Sequence, residues 1–281
     1  MADFPMIITG LREIAGDYDA LICDVWGVVH NGLVPFWPAV EALKNFRASH
    51  GRVVLLSNAP RPAASLDKQL ATIGVPADCY DAIVTSGGAA RDDIAARAKD
   101  VTLRMMHLGP PRDLPLFEGL DVALVGPDQA SVVLVTGPYD DDKETAADYV
   151  DILAALRSHG LLMVCANPDI IVPRGDRFVD CAGALARAYE AIGGDVLYYG
   201  KPHLPIYKTT LEAAGNAKRP LVIGDGLETD IRGANRAGID ALFVAHGVHR
   251  REISDLTPAS LAALFAAKGV FVRAAMGALA W

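Results

Sequence analysis

Near each end of the chain, short β-branched runs alternate with Ala- and Leu-rich segments of helical periodicity, and this alternation restricts the fold more than any other feature. The first unit reads as a strand near 19–25, a helix near 38–49 closed by Gly51, a strand near 52–56, a helix near 62–73 closed by Gly74, then "DAIVTS" at 81–86. The second reads "DVLYYG" at 195–200, a helix near 204–214, "PLVIGD" at 220–225, a helix near 228–237 and "DALFVA" at 240–245. Strands joined by whole helices pair in parallel, so an α/β fold is expected. The stretch between the units is also α/β in pattern, with strand-like "TLRMMHLG" (102–109), "DVALVG" (121–126), "SVVLVTG" (131–137) and "LLMVCANPD" (161–169), and is a candidate second domain. The closing "LTPASLAALFAAKGVFVRAAMGALAW" is expected to be helical in its first half and to pack on the core.

With 281 residues, 52% hydrophobic and 21% charged, the chain has enough apolar material for one large core or two smaller ones, which excludes disorder. A net charge of −8 repels nucleic acid and anionic membrane surfaces, so any phosphate must meet a locally positive site. Apolar runs such as 161–166 are far shorter than the roughly 20 residues of a membrane-spanning helix. The first residues have no basic segment followed by an apolar one, so a cytoplasmic location is expected rather than secretion. Cysteines 23, 79, 165 and 181 form no C-x-x-C pair and lie mostly in apolar runs, as buried free thiols do.

Four short stretches fall at expected strand ends: "CDVWG" (23–27), "LSNAP" (56–60), "GKP" (200–202) and "GDGLETD" (224–230). Taken singly, each is an ordinary turn or cap. Open α/β sheets, however, gather ligands at the carboxyl ends of their strands, where all four would converge. Their chemistry is coherent for a phosphorylated substrate. A carboxylate nucleophile such as Asp24 needs a hard cation and fixed positive charge before it can approach an anion. Asp225 and Asp230 add oxygen ligands, the backbone carbonyl of Trp26 adds another, and magnesium suits such a set. Lys201 would neutralise phosphate and nucleophile, while Ser57 and Asn58 would hydrogen-bond a phosphate oxygen.

The order Asp-x-x-Gly, Ser-Asn, Gly-Lys-Pro, Gly-Asp-x-x-x-Thr-Asp resembles the four motifs of the haloacid dehalogenase superfamily of aspartate-nucleophile hydrolases. The long insertion after the second motif, with "TSGGAA", "ANPD" and "CAGALARA", resembles the class IIA branch. The resemblance implies a Rossmann-like core with a parallel sheet from 1–86 and 196–281, and an inserted α/β cap from 87–195. It implies a Mg2+-dependent phosphohydrolase of a small phosphorylated metabolite, working through an aspartyl-phosphate. In that scheme Asp24 is the nucleophile, Ser57 and Asn58 bind phosphate, Lys201 pairs with both, and Asp225 and Asp230 hold the metal. Asn167, Asp169 and Arg174, in the cap stretch "ANPDIIVPRG", are specificity candidates, with surface loop residues as the equal alternative. Class IIA relatives often dimerise through the cap, which adds a homodimer to the implications.

Trp26 departs from the pattern, because phosphatases of this superfamily carry there a second Asp that serves as acid and base. Such help is worth about 10²–10⁴ in rate. Two readings of Trp26 stay open: an altered or weakened chemistry, best tolerated with acyl, enol and aryl phosphates, or an indole that only packs and changes substrate fit. His30 and His203 read first as surface or capping residues, with replacement of the missing acid as the alternative. The rival functions are a phosphometabolite-binding or phosphotransfer protein with impaired turnover, and a metal-independent dehalogenase, against which the retained Asp225 and Asp230 argue.

Overall fold

The computed structural model describes residues 5–174, 177–246 and 256–281. In chain order the strands are β1 (Met6–Ile7), β2 (Ala20–Asp24), β3 (Arg52–Ser57), β4 (Ala82–Thr85), β5 (Leu103–Leu108), β6 (Val122–Leu124), β7 (Val132–Val135), β8 (Leu162–Cys165), β9 (Ile171–Arg174), β10 (Arg177–Asp180), β11 (Val196–Tyr198), β12 (Pro220–Gly224), β13 (Asp240–Val244) and β14 (Ala274–Met276). The helices are α1 (Trp37–Ser49), α2 (Ala63–Ile73), α3 (Ser86–Arg97), α4 (Val150–Ser158), α5 (Ala182–Ala191), α6 (Leu204–Ala213), α7 (Arg232–Ala237) and α8 (Pro258–Lys268). The chain divides into two compact units: Met1–Ser57 with Ala64–Val84 and Lys201–Trp281, and Asn58–Ala63 with Thr85–Gly200.

The first unit is built on a sheet ordered β1-β14-β13-β12-β2-β3-β4. β2 pairs in parallel with β3 on one side and with β12 on the other. The chain winds outward from β2 in one direction through β3 and β4, and in the other through β12, β13 and β14. The strand order therefore reverses beside β2, and the carboxyl ends of β2 and β12 flank the crevice such a reversal leaves. Every residue of β2 is buried, as is expected of a central strand covered on both faces. Leu21, Cys23 and Val25 point into one core with Leu43 and Phe46 of α1 and Leu221 and Ile223 of β12.

The second unit holds a sheet ordered β11-β8-β7-β5-β6, parallel throughout, and an antiparallel β9–β10 hairpin. It runs from Thr85 to Gly200 and includes Asn58–Ala63. That segment is stitched to the start of α3: Gly87 N–H donates to the Ala59 carbonyl at 3.0 Å, and the Thr85 hydroxyl donates to the Arg61 carbonyl at 2.6 Å. Its core gathers Val133, Val135, Met163, Leu185 and Tyr189 on one side of the sheet.

Several local expectations differ from the structure for physical reasons. Gly51 does not close α1 in a left-handed turn; a Cβ there would collide with the Asp19 carbonyl, so the missing side chain serves a close backbone approach. The expected helix near 228–237 splits into a π turn, Leu227–Ile231, and α7. "LLMVCANPD" forms a strand only to Cys165, and the residues after Ile170 form the β9–β10 hairpin. β14 is a strand although "AAM" has little β-propensity: pairing with β13 and β1 decides it. All four cysteines are free and buried, and among the described residues no helix is long and apolar enough to cross a membrane.

Candidate functional site

Register brings the motifs of the first unit together. Asp24 is the last residue of β2 and lies opposite Leu56, so Ser57 ends the neighbouring strand one step further on. On the other side Cys23 pairs with Ile223, which puts Gly224 and Asp225 at the end of β12 beside Asp24. The π turn then carries Asp230 back: Ile231 N–H donates to the Gly226 carbonyl at 3.1 Å, and Gly226 N–H donates to Asp230 Oδ2 at 3.0 Å. Single π turns of this kind re-aim one side chain within a helix start. Gly27, at φ +88°, closes the loop after β2, and a Cβ there would overlap the Asp225 carboxylate.

Lys201 ties these ends together. Its ammonium donates to Asp24 Oδ1, to Asp230 Oδ1 at 2.7 Å and to the Leu56 carbonyl at 3.3 Å. Lys201, Asp24, Asp225 and Asp230 are all buried. Burial pushes the Asp24 carboxyl well above its ordinary range; Lys201 pulls it back, and the neighbouring Asp230 and Asp225 push it up again. Burial alone would lower the Lys201 ammonium, but Asp230 and Asp24 more than offset this and hold it well above the ordinary value.

One carboxylate oxygen from each of Asp24, Asp225 and Asp230 lies within 4.8 Å of the others. Three carboxylates facing one ammonium leave excess negative charge in a buried place, which is costly unless a cation meets it. The donors are hard oxygens throughout, and the nearby Cys23 thiol is pushed further from its thiolate form, first by burial and then by Asp24. This donor set fits magnesium rather than a thiolate-seeking metal.

Trp26 stands in an ordered loop. It forms an isolated bridge with His30, and its ring meets the His30 imidazole edge-on with centroids 5.4 Å apart. His30 is buried, and its Nδ1 accepts the Gly32 N–H at 2.8 Å. Gly32, at φ +90°, lies against the indole so closely that a Cβ would overlap Cη2. Trp26 remains 45% exposed. The sequence reads His30 first as a surface or capping residue; the structure buries it against the indole four residues before it in the chain. His203 occupies the N-cap position of α6.

In the second unit the structure groups three of the expected residues. Asn58 Nδ2 donates to Asp169 Oδ1 at 2.8 Å, and Asp169 N–H donates to Asn167 Oδ1 at 3.0 Å. Asn58 therefore belongs with "ANPD" by hydrogen bonding, whereas the sequence associates it with Ser57. Arg174 ends β9 opposite Arg177, and its side chain lies outside the described residues.

A family model described as haloacid dehalogenase-like hydrolase matches residues 21–123, and a HAD-hydrolase-like model matches 198–266. A solved hydrolase of the haloacid dehalogenase-like family from Brucella suis 1330 is 42% identical, with a TM-score of 0.84, covering 97% of this chain and 100% of that one. The D-glycerol 3-phosphate phosphatase of Mycobacterium tuberculosis is 29% identical over 249 residues, 85% of this chain; the chain spans 66% of that protein's length. A crystal structure of glycerol phosphate phosphatase from the same organism in complex with magnesium is 28% identical, with a TM-score of 0.65, covering 84% of this chain and 70% of that one.

Proposed function

Because this chain belongs to the haloacid dehalogenase-like hydrolase family, we propose that it is a magnesium-dependent phosphohydrolase of a small phosphorylated metabolite, acting through an aspartyl-phosphate on Asp24. The observation that carries the reading is the buried group at the ends of β2 and β12, where the Asp24 carboxylate shares Lys201 with Asp230 and lies with Asp225 and Asp230 within 4.8 Å. The magnesium-bound phosphatase among the relatives supports the choice of metal.

Asp24, Asp225 and Asp230, with the Trp26 carbonyl, would hold magnesium, which when bound supplies the positive charge that lets a carboxylate face a phosphoryl group. Asp24 attacks phosphorus with one carboxylate oxygen, and the bond from phosphorus to the leaving oxygen breaks, that oxygen keeping the electron pair. The Lys201 ammonium keeps the nucleophile aligned and offsets charge as the new bond forms. Ser57 and Asn58 offer a hydroxyl and an amide to the phosphoryl oxygens. Water then attacks the aspartyl-phosphate, the phosphorus–Asp24 oxygen bond breaks, and the carboxylate is restored as inorganic phosphate departs. Asn167, Asp169 and Arg174 would contact the rest of the substrate.

The test is steady-state turnover of acyl, aryl and alkyl phosphates with and without magnesium. Folded, magnesium-bound protein that turns over none of them refutes the proposal. Trp26 favours one second reading, a phosphometabolite-binding protein without turnover; fast hydrolysis by the wild type ends that reading. Halide release from a haloacid without metal would instead support dehalogenation, which strict magnesium dependence excludes.

A further inference from the structure

Residues 21–26 alternate in direction. Leu21, Cys23 and Val25 enter the core of the first unit, Asp24 ends β2, and Trp26 forms an isolated bridge with His30. Side chains two apart on an extended segment share a face. Asp24 and Trp26 flank the core-facing Val25, so this alternation puts the indole on the nucleophile's side of the chain. Its orientation is held by the edge-on His30 ring and by Gly32 packed on its six-membered ring. At 45% exposure it presents a flat apolar surface rather than filling a core.

Among the described residues, the groups shown in contact with the indole or with Asp24 are poor acids for a departing oxygen. An indole N–H is a hydrogen-bond donor only and does not ionise in this range. The three ammonium donors of Lys201 face Asp24, Asp230 and the Leu56 carbonyl. His30 is buried beneath the indole with Nδ1 already engaged by Gly32.

We infer that Trp26 determines substrate class in the phosphohydrolase reading on which this inference rests: it selects phosphates whose leaving oxygen is stable as an anion and carries a planar group, such as aryl and enol phosphates, over alkyl phosphates. In such substrates the leaving oxygen departs with the electron pair of the broken P–O bond and takes its proton from solvent afterwards, while the planar group stacks on the indole. An alkoxide, far more basic, would need its proton as the bond breaks.

The experiment compares kcat/KM of the magnesium-loaded protein for a series of substituted phenyl phosphates, benzyl phosphate and glycerol phosphate. The expected result in the wild type, which needs no variant, is a steep fall with rising leaving-group pKa, leaving alkyl phosphates about 10³-fold or more below 4-nitrophenyl phosphate. Trp26→Asp should raise alkyl phosphate kcat by about 10²–10⁴ and change aryl kcat by less than about tenfold. Trp26→Ala should raise KM for aryl phosphates by about 2–10-fold, and Trp26→Phe should restore most of it. Magnesium-dependent turnover that is flat across the series overturns this inference and leaves the phosphohydrolase reading standing. No turnover of any ester by wild type or Trp26→Asp overturns both.

Discussion

Replacing Lys201 with Met removes the buried ammonium that faces Asp24 and Asp230 while keeping an apolar stem of similar length. Without metal, the wild-type cluster is three carboxylates and this ammonium, and the variant is three carboxylates alone. Hydrogen bonds to charged groups are worth about 1.5–3 kcal/mol each, and Lys201 makes two to carboxylates and one to the Leu56 carbonyl. Breaking a buried pair by removing one partner costs about 3–5 kcal/mol, because the other charge is left uncompensated. Asp24 has an escape, since its carboxyl is already pushed up and takes a proton more readily once Lys201 is gone, so the lower end, about 3 kcal/mol, is expected near neutral pH. Urea unfolding in chelator, followed by tryptophan fluorescence, reads this as a lower midpoint with an unchanged slope. Magnesium at about 100 times its dissociation constant should return about 2.7 kcal/mol to the variant. A loss under about 1 kcal/mol in chelator would refute the picture of several ionised carboxylates held together by one lysine.

Asp225→Asn removes one of the crowded like charges, each pair of which repels by about 3 kcal/mol at 4.8 Å for an effective dielectric near 20; the metal-free fold should gain about 1–2 kcal/mol, while calorimetric titration shows magnesium affinity falling at least about tenfold. A metal-free variant less stable than wild type contradicts this. Burial lowers the His107 pKa to about 4 from the ordinary 6.5, with Nε2 2.9 Å from the Thr136 hydroxyl. The folded second unit therefore favours the neutral ring: its contribution is complete above pH 6.5 and is lost as pH falls through 4, about 2–3 kcal/mol in all. His107→Leu should flatten urea stability between those values, and an unchanged profile contradicts the assignment. Asn58→Ala and Asp169→Ala should couple by about 1–2 kcal/mol in a double-mutant stability cycle, and additive effects would show that their 2.8 Å hydrogen bond contributes nothing.

The central strands were legible because they are buried on both faces: "ALICD" and "PLVIG" are unbroken apolar runs ended by a carboxylate or a glycine, and no competing pattern fits them. β14 was not, because "AAM" carries no strand signal and takes its conformation from the neighbours it pairs with. The chemistry was legible as residue types at strand ends, since parallel pairing places Asp24, Ser57 and Asp225 side by side once β2, β3 and β12 are adjacent. What the sequence could not convey is direction within a turn. The π turn that swings Asp230 onto Lys201 depends on one extra residue in a helical turn, and the hydrogen bond that pairs Asn58 with Asp169 depends on residues distant in sequence.

The same geometry explains why so much apolar strand surrounds so few polar atoms. Asp24, Asp225 and Asp230 repel one another, and a flexible loop would relax by letting them separate toward water. Here each is fixed at a point with little freedom: Asp24 by pairing on both sides of β2, Asp225 by its place at the end of β12 against a glycine with no side chain, and Asp230 by the π turn and the Gly226 N–H. The packing of Leu21, Cys23, Leu55, Leu221 and Ile223 opposes the repulsion, so the strain stays at the site instead of dispersing. A cation that enters such a place relieves what the fold holds unrelieved, and its binding is favoured because the ligand oxygens need no rearrangement to receive it.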